Sequence, residues 1–283
     1  MNNKTIFDEH WLNAKTGHPD SWFEIVEHGW EQHVLVDHQR NLVYRYPRNK
    51  NAKAKLDDEV QVLSELHGIV FNLAIPIIEE HSNDFTLYKY IPGDVMDEKT
   101  IKSLSNEQVE KIGTDLGVFL SILHSASPEI VKSKKTKQTM SLYQYYSQRI
   151  EKSLGSDFYI HAKKLLEKIE HEQTDEVVVH GDLHGLNMVI EPINAQLVGV
   201  IDFSELELGN RFQDFRKLFM TDRRLLDSAL QSYSKKTGNN LDKEVILAWA
   251  YVNEWANIAY FKDQQNSPTY LRAQKHLKLW GEL

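Results

Sequence analysis

Three short apolar runs near the middle of the chain read as consecutive strands: Glu176-Val177-Val178-Val179, Asn187-Met188-Val189-Ile190-Glu191 and Gln196-Leu197-Val198-Gly199-Val200-Ile201. Between the first two lies His180-Gly181-Asp182-Leu183-His184-Gly185-Leu186-Asn187. Pro192-Ile193-Asn194-Ala195 reads as a turn, and the third run ends at Asp202-Phe203. Strand, loop, strand, turn and strand in such quick succession leave few ways to fold. They predict Asp182, Asn187 and Asp202 at neighbouring strand ends, converging on one cleft.

The chemistry of those three groups is specific. Asp182 and Asn187 stand five apart, as in the catalytic loop H-R-D-x-x-x-x-N, and Asp202-Phe203 falls where a D-F-G metal ligand would lie. A hydroxyl nucleophile needs a carboxylate to orient it and accept its proton, which is the role for Asp182. A nucleoside triphosphate needs Mg2+ across its phosphates, and Mg2+ prefers hard oxygens such as those of Asn187 and Asp202. Two other readings use the same residues. His and Asp in a strand-end turn can simply cap backbone groups. His180-x-Asp182-x-His184 also has the spacing of a metal centre, which would make the chain a metal-dependent hydrolase. Asn187, the strand frame and Ile201-Asp202-Phe203 together favour phosphotransfer. In that reading His180 braces the loop by hydrogen bonding, and His184 faces solvent.

The residues around this segment resemble a family. His180-Gly181-Asp182 in place of H-R-D, with Ile201-Asp202-Phe203-Ser204, is similar to the aminoglycoside phosphotransferase and choline kinase group of small-molecule kinases. Gly29-Trp30-Glu31 looks like the G-W-D of aminoglycoside 2''-phosphotransferases, and Leu56-Asp57-Asp58-Glu59-Val60 resembles the helix after their third strand. The resemblance implies an α+β, protein-kinase-like fold of two lobes, a β-rich N-lobe over a mainly helical C-lobe. It also implies ATP, with GTP as the alternative, and Mg2+ as cofactors.

Length and composition suit that expectation. A chain of 283 residues, 41% hydrophobic and 26% charged, can bury a substantial core. It has no cysteine, hence no disulfide framework and no thiolate zinc site. A net charge of -8 argues against nucleic acid as a partner. An acidic chain can instead attract a cationic small molecule. Met1–Asp8 lacks the apolar stretch of a signal peptide, and no run approaches the ~20 apolar residues of a membrane span. The expected setting is cytoplasmic, with no membrane partner, and the oligomeric state is left open.

The N-terminal part alternates β-type runs with charged turns. Trp22–Val26, His33–Asp37 and Leu42–Tyr46 read as strands, with His38-Gln39-Arg40-Asn41 as a hairpin turn. Ala54–Leu66 follows as a helix with Leu56, Val60, Leu63 and Leu66 inward. Phe85–Ile91 is a further strand, and Pro92-Gly93 marks the expected boundary between lobes 1–91 and 92–283. Beyond it the period turns helical. Ser105 and Gln108 form a candidate capping box ahead of a stripe from Val109 to Leu123, and Lys132-Ser133-Lys134-Lys135-Thr136-Lys137 reads as a solvated basic connector. Further helices are expected over 141–153, 158–172, 211–220, 222–236, 242–262 and 269–280.

A nucleotide cleft also needs a cation for the phosphates and a carboxylate to hold that cation. Arg45 on the third strand and Glu59 on the following helix are the candidates, with Arg48 as the alternative cation. The resembling family usually carries Lys at the position of Arg45, and Arg keeps the charge while changing the geometry to a planar fork. Gly29 lies in the turn that would cover the phosphates. The family's hinge implies adenine contacts by the backbone of Lys89, Tyr90 and Ile91. Asp214 matches a family position that braces the catalytic loop. For acceptor ammonium groups the carboxylate candidates are Glu205, Glu207, Glu254 and Asp263, with Trp249, Tyr251 and Trp255 as walls.

Overall fold

Asp37 turns the hairpin between strands 32–37 and 42–47: its Oδ1 accepts from the backbone N–H of Gln39 and Arg40, both at 3.0 Å, and Asn41 adopts the left-handed backbone (φ 58°) that Asn tolerates. In the computed structural model, residues 23–26, 31–132, 134, 142–153, 156–172 and 176–281 are described. Five antiparallel strands form the N-terminal sheet: β1 (Phe23–Val26), β2 (Gln32–Asp37), β3 (Leu42–Pro47), β4 (Ile78–His81) and β5 (Thr86–Lys89), in the order β1-β2-β3-β5-β4.

Helix α1 (Lys50–Leu66) crosses between β3 and β4. It begins four residues before the first apolar position of the expected Ala54–Leu66 stripe, because Asn49 caps it through a 2.9 Å bond from the Ala52 N–H. Leu56, Val62, Leu63 and Leu66 are fully buried. Val60, expected in that stripe, sits on its flank and is only partly buried, and Val62 fills the core instead.

The central segment forms the expected hairpin. Strand β6 (Asp94–Val95) pairs with β8 (Met188–Glu191), which pairs with β9 (Gln196–Val200); separately, β7 (Val177–Val179) pairs with β10 (Glu207–Gly209). Strand β9 ends one residue before Ile201. A single parallel bridge joins Ala74 to Gly199, with Ala74 N–H donating to Val198 O at 3.0 Å and Val200 N–H to Ala74 O at 2.9 Å.

Helices make up the rest: α2 (Glu98–Ser103), α3 (Asn106–Leu123), α4 (Glu129–Lys132), α5 (Leu142–Ser153), α6 (Ser156–His171), α7 (Phe212–Thr221), α8 (Arg223–Thr237), α9 (Lys243–Tyr260) and α10 (Pro268–Trp280). The capping box at the start of α3 is present in both directions, at 3.2 Å from Gln108 N–H to Ser105 Oγ and 2.9 Å from Ser105 N–H to Gln108 Oε1. Helix α9 packs against α5, α6, α7 and α10 and is the centre of the helical half. The fold is therefore α+β, a β-sheet lobe followed by a helical one.

One apolar cluster runs through both halves, from Leu56, Leu63, Leu66 and Tyr88 to Leu116, Phe203, Phe215 and Trp255. A second, smaller cluster of Leu35, Tyr44, Tyr46 and Leu87 covers the other face of the five-stranded sheet. Among the described residues no helix is long and apolar enough to cross a membrane.

Candidate active site

Strand β7 is wholly buried and delivers His180, itself fully buried, to the start of the loop. Gly181 follows with φ +80°, and a Cβ there would stand 2.7 Å from the Glu205 carbonyl oxygen, so the turn needs glycine. Asp214, near the start of α7, holds the turn from below. Its Oδ2 accepts from the His180 N–H and its Oδ1 from the Gly181 N–H, each at 2.9 Å. His124 Nε2 adds a 3.1 Å contact to Oδ2. Burial pushes the Asp214 carboxyl up, but the bond to His124 and the charges around it outweigh burial, so it is held low and ionised.

The ring of His180 is used on both sides. Nε2 lies 3.2 Å from Ile201 O, and Nδ1 accepts from the Asp182 N–H at 3.4 Å. It ties the loop to the end of β9. With both nitrogens engaged by backbone and no exposure, His180 is not available as a metal ligand, which removes the His180-Asp182-His184 hydrolase reading.

Asn187 closes a 3-10 turn over Gly185–Asn187 and donates from Nδ2 to the Asp182 carbonyl at 2.9 Å. That bond fixes the orientation of the amide. Ile201 N–H reaches Asn187 O at 3.0 Å. Asp202 then takes φ +64°, a left-handed backbone that costs a non-glycine residue roughly 1 kcal/mol or more. Its carboxylate faces the same space as Asp182, whose charge it feels.

Across from this loop stands Arg45 of β3. Its Nη1 lies 2.8 Å from both Glu59 carboxylate oxygens and its Nη2 3.2 Å from Asp202 Oδ1, while Nε bonds to Gln32. Glu59 is fully buried and also accepts the Phe203 N–H at 3.1 Å. Burial would raise the Asp202 carboxyl, but the Arg45 guanidinium outweighs it and holds the group below its usual value. Arg48 points elsewhere, with Nε 3.3 Å from Gln32 O.

Asp182 carries two neighbours. Lys217 Nζ is 2.6 Å from Oδ1 and His184 Nε2 is 3.3 Å from Oδ2. Burial pushes the Asp182 carboxyl up, yet His184 and Lys217 together bring it well below the ordinary carboxylate range. His184 therefore does not stand free in solvent as the sequence suggested. Its Nδ1 accepts from Leu186 N–H at 3.2 Å, which leaves Nε2–H for Asp182. Lys217 carried no signal in the sequence. Only its position three residues after Asp214, one helical turn along the same face, points to it.

The site thus joins one β-strand and one helix of the N-terminal sheet lobe to two loops and helix α7 of the helical lobe. A family model described as the phosphotransferase enzyme family matches residues 22–252. The chain belongs to that family. Solved structures agree in fold. The GDP complex of wild-type aminoglycoside 2'-phosphotransferase-IIIa superposes with a TM-score of 0.77 at 15% identity, covering 94% of this chain and 95% of the other. The streptomycin–ATP ternary complex of APH(2'')-IIa gives 0.69 at 19%, covering 99% and 97%. Macrolide 2'-phosphotransferase MphH from Brachybacterium faecium gives 0.72 at 15%, covering 93% and 94%. A comparison with curated protein sequences gives no match.

The remaining expected residues of this phosphotransferase fall into three groups. At the junction of the lobes, the backbone amides of Lys89 and Tyr90 are tied to Ile77 O and Asn41 O, both at 2.8 Å, while Ile91 packs on Gly199, where a Cβ would come within 2.9 Å of Ile91 Cγ2. Gly29 lies outside the described residues. Two of the four expected acceptor carboxylates are engaged within the chain. Glu205 Oε1 is 2.7 Å from Lys55 Nζ, which also holds Glu31. Glu254 is fully buried under His276 (2.6 Å) and Asn257 (2.9 Å). Asp263 stands on an exposed turn after α9.

Trp249 and Trp255, expected as pocket walls, are buried core residues. Tyr251 joins an aromatic group with Phe219 and Trp280. The basic connector is also corrected at Lys134. Rather than facing solvent, its ammonium donates to Ser204 O (3.0 Å) and Leu206 O (2.8 Å), fastening the segment after Asp202.

Proposed function

We propose that this phosphotransferase moves the γ-phosphoryl group of Mg2+-bound ATP, or GTP, onto a hydroxyl of a small molecule. The observation that carries this reading is the meeting of Asp182, Asn187 and Asp202 in one cleft with Arg45 already on Asp202. The donor set fits Mg2+: an amide oxygen from Asn187 and carboxylate oxygen from Asp202 are hard ligands, and the second Asp202 oxygen is free of Arg45. Bound there, the ion neutralises the phosphate charge that spreads in the transition state.

Arg45 supplies the fixed cation on the nucleotide side. Glu59 keeps it in place, so its fork does not need to be organised when the phosphates arrive. Ile91, on Gly199, supports packing of adenine against β9, with its free backbone amide as the hinge contact. Asp182 orients the acceptor hydroxyl. A carboxylate held so low in proton affinity is a poor base before bond formation, so it accepts the proton late, as the acceptor oxygen becomes acidic on phosphorylation.

Aminoglycosides and macrolides are the acceptors named for the structural neighbours. An aminoglycoside-type antibiotic is one acceptor to test here, beside choline-, macrolide- and fructosamine-like alcohols. A nucleoside triphosphate substrate and a cysteine-free chain fit a cytoplasmic setting. The test is direct: purified protein with Mg2+ and ATP or GTP is incubated with an acceptor panel, and mass spectrometry reads the added phosphate. Calorimetric binding of Mg·ATP with no transfer to any acceptor would replace this reading with a silent nucleotide-binding protein.

A further inference from the structure

Helix α1 is attached to the segment after Asp202 at two points one helical turn apart. Glu59 accepts the Phe203 N–H at 3.1 Å and holds Arg45, which reaches Asp202. Lys55, four residues earlier and on the same face, places its ammonium 2.7 Å from Glu205 Oε1 and 2.8 Å from Glu31 Oε1. The first attachment is deep, with Glu59 unexposed and Arg45 14% exposed. The second stands further out, with Lys55, Glu31 and Glu205 at 33%, 45% and 39%.

The partners of Lys55 belong to different lobes. Glu31 directly precedes β2 of the sheet, and its carbonyl accepts the Arg48 N–H at 2.9 Å. Glu205 is fixed in the helical lobe. Lys134 holds the carbonyls on either side of it, at Ser204 and Leu206, and its own carbonyl oxygen lies against Gly181 of the catalytic loop. Parting of the lobes would therefore keep the bond to Glu31 and break the one to Glu205. Burial alone would lower the Lys55 ammonium, but its bonds to Glu205 and Glu31 outweigh burial and raise it, so it stays charged.

We propose that Lys55 is a positioning residue that holds the nucleotide cleft closed, its bridge from Glu31 to Glu205 setting how fast nucleotide is released. This rests on the phosphotransferase reading of the site, in which the phosphates lie at Arg45 and Asp202, between the parts that the bridge joins. Cleft opening and product release limit turnover in many enzymes that close over a substrate, so the bridge acts on turnover without touching substrate. It also gives Glu205 a task within the chain rather than at an acceptor ammonium.

Release is measured directly and needs no acceptor. Mg·ADP carrying a methylanthraniloyl fluorophore, and its GDP counterpart, are displaced by excess unlabelled nucleotide in a stopped-flow experiment. Lys55→Met and Glu205→Gln are each expected to speed release by about three- to fivefold, the factor given by one partly exposed ion pair at the upper end of its range. The two together should release nucleotide no faster than Lys55→Met alone, because they break the same bond.

The shared direction is the decisive readout. A long-range effect of charge on the phosphates would move the two variants oppositely, since one removes a cation and the other an anion. A bridge that only stabilises the fold would lower Tm and leave release unchanged. Glu205→Gln is nearly isosteric and guards against a Lys55 variant that folds poorly. The proposal is overturned by a change of less than about twofold in either variant, by slower release from Glu205→Gln, or by effects that multiply in the double variant. Wild-type protein that binds neither labelled nucleotide is a different result: it defeats the phosphotransferase reading, and this inference with it.

Discussion

Arg45 Nη2 lies 3.2 Å from Asp202 Oδ1, joining two residues 157 positions apart in the chain. The same guanidinium is fixed to the buried Glu59. One side chain therefore ties the sheet lobe to the loop at Asp202, and it does so with a planar fork where a shorter lysine would offer a point charge.

Removing Arg45 strands a buried carboxylate. Arg45→Ala is expected to destabilise the fold by about 3–5 kcal/mol, the usual result of deleting one partner of a buried pair. Arg45→Lys keeps a charge for Glu59 but loses the simultaneous reach to Gln32 and Asp202, so it should cost less stability and raise KM for the nucleotide. Urea unfolding of both variants measures the first effect. An Arg45→Ala loss below about 1 kcal/mol would contradict the buried-pair account.

Asp182 separates chemistry from binding. Asp182→Ala is expected to lower kcat by about 10²–10⁴, the range for a positioned proton acceptor, while calorimetry still detects Mg·ATP. Phosphorylation at near-wild-type rate by this variant would falsify the role given to Asp182.

Asp214 touches no substrate in this scheme, yet two loop amides and His124 depend on it. Asp214→Ala leaves the His180 and Gly181 N–H groups without their acceptor in a buried place, at a cost of at least about 3 kcal/mol. Thermal unfolding should show a clear drop in Tm. Unchanged stability with full activity would mean that the loop holds its shape without this brace.

Glu207 gives a pH signature. Burial, reinforced by the nearby charge of Glu205, pushes its carboxyl up to about 7 from 4.5. The folded state then keeps a proton that the unfolded state has released, so the protonated group favours folding below about pH 4.5 and that contribution fades as pH rises through 7. Glu207→Gln removes the slope. Relative to wild type, the variant should gain stability between pH 5 and pH 8, by about 1–2 kcal/mol after allowance for solvent screening. Parallel unfolding curves at the two pH values check it, and a constant difference would show that Glu207 is ionised in both states.

The central hairpin was legible because its residues act through local spacing. Asp182, Asn187 and Asp202 sit at strand ends, and strand ends are visible as breaks in apolar runs. The position of Arg45 beside Glu59 was also readable, since a nucleotide cleft needs a strand cation and a carboxylate on the next helix to hold it, although Asp58 is buried on that helix as well. Lys217 was not readable. It meets Asp182 from 35 positions away, and only the docking of α7, itself anchored by Asp214, gives it that place. The start of α1 was missed for a different reason: its first turn is polar, so capping by Asn49 rather than apolar period defines it. For Trp249 and Trp255 an aromatic composition suggested pocket walls, but α9 is surrounded on all sides and buries them.

The bridge between Ala74 and Gly199 has a mechanical meaning. It fastens the stretch between α1 and β4 to the hairpin of β8 and β9, while Leu56, Leu63 and Leu66 lend their side chains to the helical interior. Severing the chain at Pro92 would give two fragments with an open wound on each, so the halves should melt as one body rather than in sequence.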